Sequence, residues 1–198
     1  MDPNVKRSWE EFLNPQILRP RLIAASIYIA IFEVFKVAVV GRIRDFFCSG
    51  FDDSGDKIDP KYASDVLARN KSPVYASIDW LKWMGAISDT DVETFNRVKA
   101  CRNTLAHDLL SALASQGLPD DFDELFTEMV ALLHKIEIWW ITNVEIPTNP
   151  DYDGQEVDEA EILPGRIMII QLLCDVALGD EERSQYFYDE FRKQGGGS

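Results

Sequence analysis

The residues best suited to chemistry sit in one run, KACRNTLAHDLL, which holds Arg102, Asn103 and His107. A neutral imidazole can take a proton from a ribose hydroxyl. A guanidinium can stabilise the charge that gathers on phosphate oxygens as they react. Asn103 stands four residues before His107, so on a helix its amide is placed to hydrogen-bond the ring and orient it. Arg102 and His107 are five residues apart, about 140° around a helix. They do not stack, but both side chains are long enough to reach one groove beside that helix. A titratable base, a fixed cation and an orienting amide are the parts needed for phosphodiester transesterification without a metal. The same residues also suit a structural use, as hydrogen bonds between helices.

The spacing predicts one helix over 91–115 to carry these groups. Thr90 and Glu93 have capping-box spacing, and Asp89 and Asp91 put negative charge near the positive helix end. Gly117 and Pro119 stop it. Phe95, Val98, Arg102, Leu105 and Leu109 step by three and four, so Arg102 falls in an apolar row. A guanidinium there must snorkel, pair or face a cavity. The adjoining row, Asn96, Lys99, Asn103 and His107, is polar.

Further helices must support that one. A long helix is expected over about 20–47. Its middle is apolar, but Ser26, Glu33, Lys36 and Arg44 recur near a 3.6-residue period, as on a central helix of a soluble bundle. Glu33 and Lys36 would each cost about 2.5–3.5 kcal/mol at a helix centre in lipid, so no membrane partner is expected. Their spacing also allows an ion pair. Residues 49–60 read as a loop and 61–69 as a short helix. Pro73 opens a helix to Met84, with Gly85 just past its end. A helix over 121–143 carries Phe122, Leu125, Met129, Leu132, Leu133, Ile136 and Trp140 on one face. After a polar connection, two more helices are expected over 166–178 and 180–193. No strand of period two stands out. The fold class is therefore all-α: an antiparallel helical bundle with one long core helix and a C-terminal helical extension. Residues 1–147 are expected to form the bundle, and 148–194 an acidic loop plus helices packing on the same domain. Residues 195–198, GGGS, read as an appended linker.

Composition narrows the function. The chain has 198 residues and a net charge of −14, with 46% hydrophobic residues, so it is neither a disordered chain nor a general nucleic-acid coat. Residues 1–50 carry +2 and the rest −16. Between 120 and 161 Lys135 is the only base, so that stretch is either a solvated face or a surface for a basic partner. Cys48, Cys101 and Cys174 suit neither a disulfide framework nor a zinc finger, and fit a reducing cytoplasm. No His, Cys, Asp or Glu cluster has metal-ligand spacing, and no cofactor is implied. The polar N-terminus has no signal-peptide core. His134 reads as a packed histidine or one at the edge of an apolar face. Trp80, Trp83, Trp139 and Trp140 read as core or as stacking platforms.

The run CRNTLAHDL resembles the Arg-x4–6-His signature of HEPN domains (higher eukaryotes and prokaryotes nucleotide-binding). Asn follows Arg directly, the match lies within a helix, and a long bundle helix precedes it. The resemblance covers roughly residues 20–143 and does not extend beyond about Pro147. It implies a homodimeric, metal-independent endoribonuclease of toxin or antiviral defence systems, with Arg102 and His107 as its site, Asn103 beside them and RNA as substrate. It also allows a non-catalytic dimeric adaptor or regulator, a class that mannitol-repressor-like proteins resemble. Some HEPN toxins carry a modifiable tyrosine two residues after the histidine. Leu109 stands there, so silencing by a nucleotidyltransferase antitoxin is not implied. A protein partner or antitoxin on the acidic 120–161 stretch is the remaining expectation.

Overall fold

The computed structural model describes residues 2–53, 55–114, 117–153, 155 and 157–195. It is an all-α helical bundle that also carries one small two-stranded sheet. Helix α1 (Pro3–Leu13) is followed at once by α2 (Pro15–Phe46), then strands β1 (Cys48–Asp52) and β2 (Gly55–Ile58). A π-helical turn (Tyr62–Val66) and a 3-10 turn (Leu67–Arg69) lead to α3 (Pro73–Trp83), α4 (Asp89–His107) and α5 (Leu109–Ala114). Helix α6 (Phe122–Trp140), a π-helical turn (Ile141–Glu145) and the short α7 (Ile146–Thr148) precede α8 (Gly165–Leu178) and α9 (Glu181–Gly195).

The chain gathers into two compact units, each discontinuous in sequence. The first takes Met1–Ile31, Ala100–Phe126 and Leu163–Ser198; the second takes Phe32–Lys99 and Thr127–Ile162. The segment expected to form the C-terminal extension is thus shared between them. Helices α2, α4 and α6 contribute residues to both.

In the first unit the Tyr28 ring sits 5.2 Å from Phe122 and 6.0 Å from Phe126. Ala25, Leu105, Leu113, Leu125 and Ile170 are buried in the same unit. Each aromatic pair adds about 0.5–1.5 kcal/mol beyond the area it buries. In the second unit Phe32, Phe35 and Phe95 stack at 5.8–6.5 Å, and Tyr75 meets Phe95 edge-on at 5.5 Å. Met129, Leu132, Leu133, Ile136 and Trp140 of α6 are buried there, so its expected apolar face is a core face. The Glu33–Lys36 ion pair also forms. Helix α2 is long and apolar enough to cross a membrane by length and composition, the one such helix among the described residues. Much of its apolar side is covered by protein, including Ala25, Tyr28, Ile31, Phe35, Val39 and Ile43.

Several boundaries differ from the sequence expectation. Helix α1 was not anticipated; Lys6–Glu10 and Arg7–Glu11 pairs at i,i+4 support it. Helix α2 begins at Pro15 and continues through Pro20, which lies inside the helix and gives up the bond its N–H would make to the Gln16 carbonyl. The expected loop at 49–60 contains a β-hairpin. Its strands have five and four residues and a register irregularity between Cys48 and Phe51, too short and too interrupted to show period two. The end of α3 follows expectation: Gly85 has φ +78°, its N–H reaches the Lys82 carbonyl, and Ala86 N–H reaches that of Leu81, a Schellman end.

The start of α4 is capped two residues earlier than expected. Ser88 and Asp91 form the reciprocal box, not Thr90 and Glu93. Asp91 N–H donates to Ser88 Oγ at 3.3 Å, and Ser88 N–H donates to the Asp91 carboxylate at 2.6 Å. Lys135 also donates to Asp91. Burial pushes the Asp91 carboxyl up, but the Lys135 and Ser88 hydrogen bonds outweigh it and the net shift is downward. A carboxyl lowered on folding stabilises the protein above its unfolded value of about 3.9, and that contribution is lost as pH falls through the folded value. Asp91→Asn is therefore expected to flatten the acid limb of stability below about pH 4. Ser88→Ala is expected to cost about 1 kcal/mol. Urea denaturation of both variants against pH checks the two; unchanged curves would contradict the cap.

Candidate functional site

Helix α4 ends on His107, and a bend at Asp108 separates it from α5. One continuous helix to residue 115 was expected; Ser115 itself lies outside the described residues. Asp is a poor interior residue because its side chain competes for backbone partners. The ladder still brackets the bend: Asp108 N–H reaches the Thr104 carbonyl at 2.8 Å, and Ala112 N–H reaches that of Asp108 at 3.0 Å. The break places the imidazole on the last residue of a 19-residue helix rather than in its interior.

The expected apolar row is present as far as Leu105, whereas Leu109 lies beyond the bend and is half-buried. Phe95, Val98 and Leu105 are buried, and Cys101 beside them is buried too. Arg102 and Asn103 are half-buried, while His107 is exposed. Arg102 Nη1 donates to Asn103 Oδ1 at 3.4 Å, a long contact that ties cation to amide. The amide expected to orient His107 thus has its oxygen turned to Arg102. Among the described residues the His107 imidazole makes no hydrogen bond. Arg102, Asn103 and His107 all belong to the first unit. Lys99 belongs to the second unit, where its ammonium sits 3.9 Å from the Tyr75 ring centroid.

Cys101, next to Arg102, holds its proton more tightly than a free thiol. Burial pushes its thiol up, the Tyr28 hydrogen bond works the other way, and Asp121 raises it further. His134 is exposed in a groove of about 580 Å³ that Lys135, Trp139, Asn143 and Glu159 help to line. The tryptophans divide: Trp80 and Trp140 are core, whereas Trp83 is exposed beneath the Arg69 guanidinium, 5.0 Å from its ring centroid. Among the described residues no three His, Cys, Asp or Glu side chains gather as a metal-ligand set.

In comparison with known proteins, no family model, curated protein or solved structure matches the chain.

Sequence reasoning missed Arg21, which fastens the first unit. Its Nη1 donates to the Leu113 carbonyl at 3.4 Å and its Nη2 to Glu11 Oε2 at 3.2 Å, joining α2 to α5 and α1. The Arg7 hydrogen bond, and then that of Arg21, hold the Glu11 carboxyl below its ordinary range. No local signal announces contacts that span 92 residues. Arg21 is also typical of its surroundings. Lys6, Arg7, Arg21, Lys36, Arg42 and Arg44 all take part in ion pairs, leaving exposed Arg19 without one among the described residues. The basic N-terminal quarter is therefore mostly neutralised in place. The acidic 120–161 stretch is partly neutralised as well, because Arg97 pairs with Glu128 and Arg42 with Glu137 and Glu145.

Proposed function

We propose that this chain is a cytoplasmic, metal-independent endoribonuclease of HEPN type, acting as a homodimer in toxin or antiviral defence. The observation that carries the reading is His107. It is exposed at the end of α4, free of hydrogen bonds among the described residues, and one turn beyond an arginine–amide pair. Its imidazole takes the proton from a ribose 2′-OH as that oxygen attacks the adjacent phosphorus. The phosphorus–O5′ bond breaks, and the leaving O5′ takes a proton from imidazolium or water. The products are a 2′,3′-cyclic phosphate and a 5′-hydroxyl. Arg102 steadies the charge on the non-bridging oxygens. Asn103 holds the guanidinium rather than the imidazole.

With a charge of −14, and most N-terminal bases already paired, affinity for an RNA backbone is low. Substrate choice then rests on shape, or on a partner. A basic protein partner on the 120–161 stretch fits this account.

Incubating the chain with mixed structured and single-stranded RNA in EDTA tests it. Fragments bearing 2′,3′-cyclic phosphates are expected, and the 2′-deoxy analogue of a cut RNA should stay intact. Cleavage of that analogue would rule out 2′-OH attack. The turn of Asn103 toward Arg102 also favours a second reading, a non-catalytic adaptor in which the pair is structural. That reading expects no fragments at all.

A further inference from the structure

Helix α8, GRIMIIQLLCDVAL, is apolar all round, the pattern of a helix buried on every side. Only Ile167 and Ile170 of its large side chains are buried; Met168, Ile169, Leu172, Leu173, Val176 and Leu178 are exposed. On α9, Ser184, Phe187, Tyr188 and Phe191 fall on one stripe at i, i+3, i+4 and i+7. Tyr188 is 58% exposed and Phe191 76% exposed. Exposed apolar side chains gathered on one hairpin in this way mark an interface.

The hairpin presenting this surface is well fastened. Asp180 caps α9, its Oδ1 accepting from Arg183 N–H at 2.9 Å. Arg183 reaches back to Asp175 on α8 at 3.2 Å. A Cβ on Gly179 would collide with the Asp175 carbonyl oxygen, so only glycine fits that joint.

The charges along the stripe select the occupant. Glu181 and Arg192 are eleven residues apart, three helical turns, and so lie on nearly the same edge, about 20° apart and about 16 Å along the axis. Among the described residues Glu181 makes no ion pair. In an antiparallel helix pair, residues on the same edge face each other. Two copies of α9 related by a two-fold axis would therefore place each Glu181 beside the other copy's Arg192, twice over. A membrane surface fits poorly. Residues 165–195 carry six acids and four bases, whereas a helix lying on a membrane is rich in Lys and Arg.

We propose that the α8–α9 hairpin is a self-docking surface, on which a second copy packs antiparallel along α9. Phe187, Tyr188 and Phe191 are covered, and Glu181 pairs with the second copy's Arg192. This surface is the interface of the homodimer proposed above; it does not rest on RNA cleavage, since an inactive chain would associate in the same way.

Sedimentation velocity across the micromolar range tests it, on wild type, Glu181→Arg, Arg192→Glu, the double reversal and Phe191→Glu. Wild type is expected to dimerise. Each single reversal should weaken dimerisation at least about tenfold, because the symmetric contact occurs twice. The double reversal should restore it. Phe191→Glu should be monomeric with unchanged circular dichroism, since that side chain is exposed in the monomer. A monomeric wild type would overturn the proposal, as would a dimer indifferent to Phe191→Glu or a double reversal no better than the singles. Flotation with neutral or anionic vesicles in place of self-association would overturn it too.

Discussion

Arg42→Met is expected to destabilise the protein by about 3–5 kcal/mol, the largest loss from any single substitution considered. Glu137 lies inside the second unit at 1% exposure, and Arg42 Nη2 donates to its Oε2 at 2.6 Å. Nη1 donates to Glu145 Oε1 at 2.5 Å, and the guanidinium lies 5.9 Å from the Trp140 ring centroid. Withdrawing that guanidinium removes the cation that Glu137 Oε2 meets inside the unit, which costs far more than an exposed pair is worth. Glu145 is half exposed and contributes little to the loss. For a chain of this size the melting temperature should fall by roughly 10 °C. Adding Glu137→Met should recover most of the loss, because a buried ion pair is often replaceable by apolar side chains. Urea denaturation of the single and double variants decides it. A single variant within about 1 kcal/mol of wild type would show that the pair is not sealed from water.

Arg102→Ala is expected to reduce RNA cleavage about 10²–10³-fold, the usual cost of removing one group that stabilises transition-state charge. Lysine should not restore the rate, because a point charge lacks the planar fork that grips two phosphate oxygens. Arg102 is half-buried among apolar neighbours, so truncation also loses packing, with an expected stability cost of about 1 kcal/mol. The two effects separate if cleavage is measured well below the melting transition of each variant. A rate that tracks only the folded fraction would assign Arg102 a structural role and favour the adaptor reading.

What was legible in the sequence is what is local. The buried face of α6 follows from apolar residues at spacings of three and four. The Schellman end of α3 follows from Gly85, and the α8–α9 pair matches the two helices expected over 166–178 and 180–193. The motif too is local, because six adjacent positions of one helix carry all three groups. Choices between near-equal local alternatives were not legible. Ser88–Asp91 and Thr90–Glu93 are rival capping boxes two residues apart, and Lys135, far away in sequence, engages the Asp91 of the first. Asn103 has Arg102 on one side and His107 one turn away, and spacing does not say which its amide oxygen takes. The bend at Asp108 and the short hairpin at 48–58 leave no trace in the periodicity. Arg21 and Arg42 read simply as basic residues, although their partners lie about a hundred residues away.

The most direct measurement compares initial rates of RNA cleavage in EDTA for wild type and His107→Ala on one RNA preparation. His107 is exposed and makes no hydrogen bond among the described residues, so its loss should leave the melting temperature unchanged. General-base catalysis predicts a fall of about 10²–10⁴-fold. Equal rates for the two proteins would contradict the account.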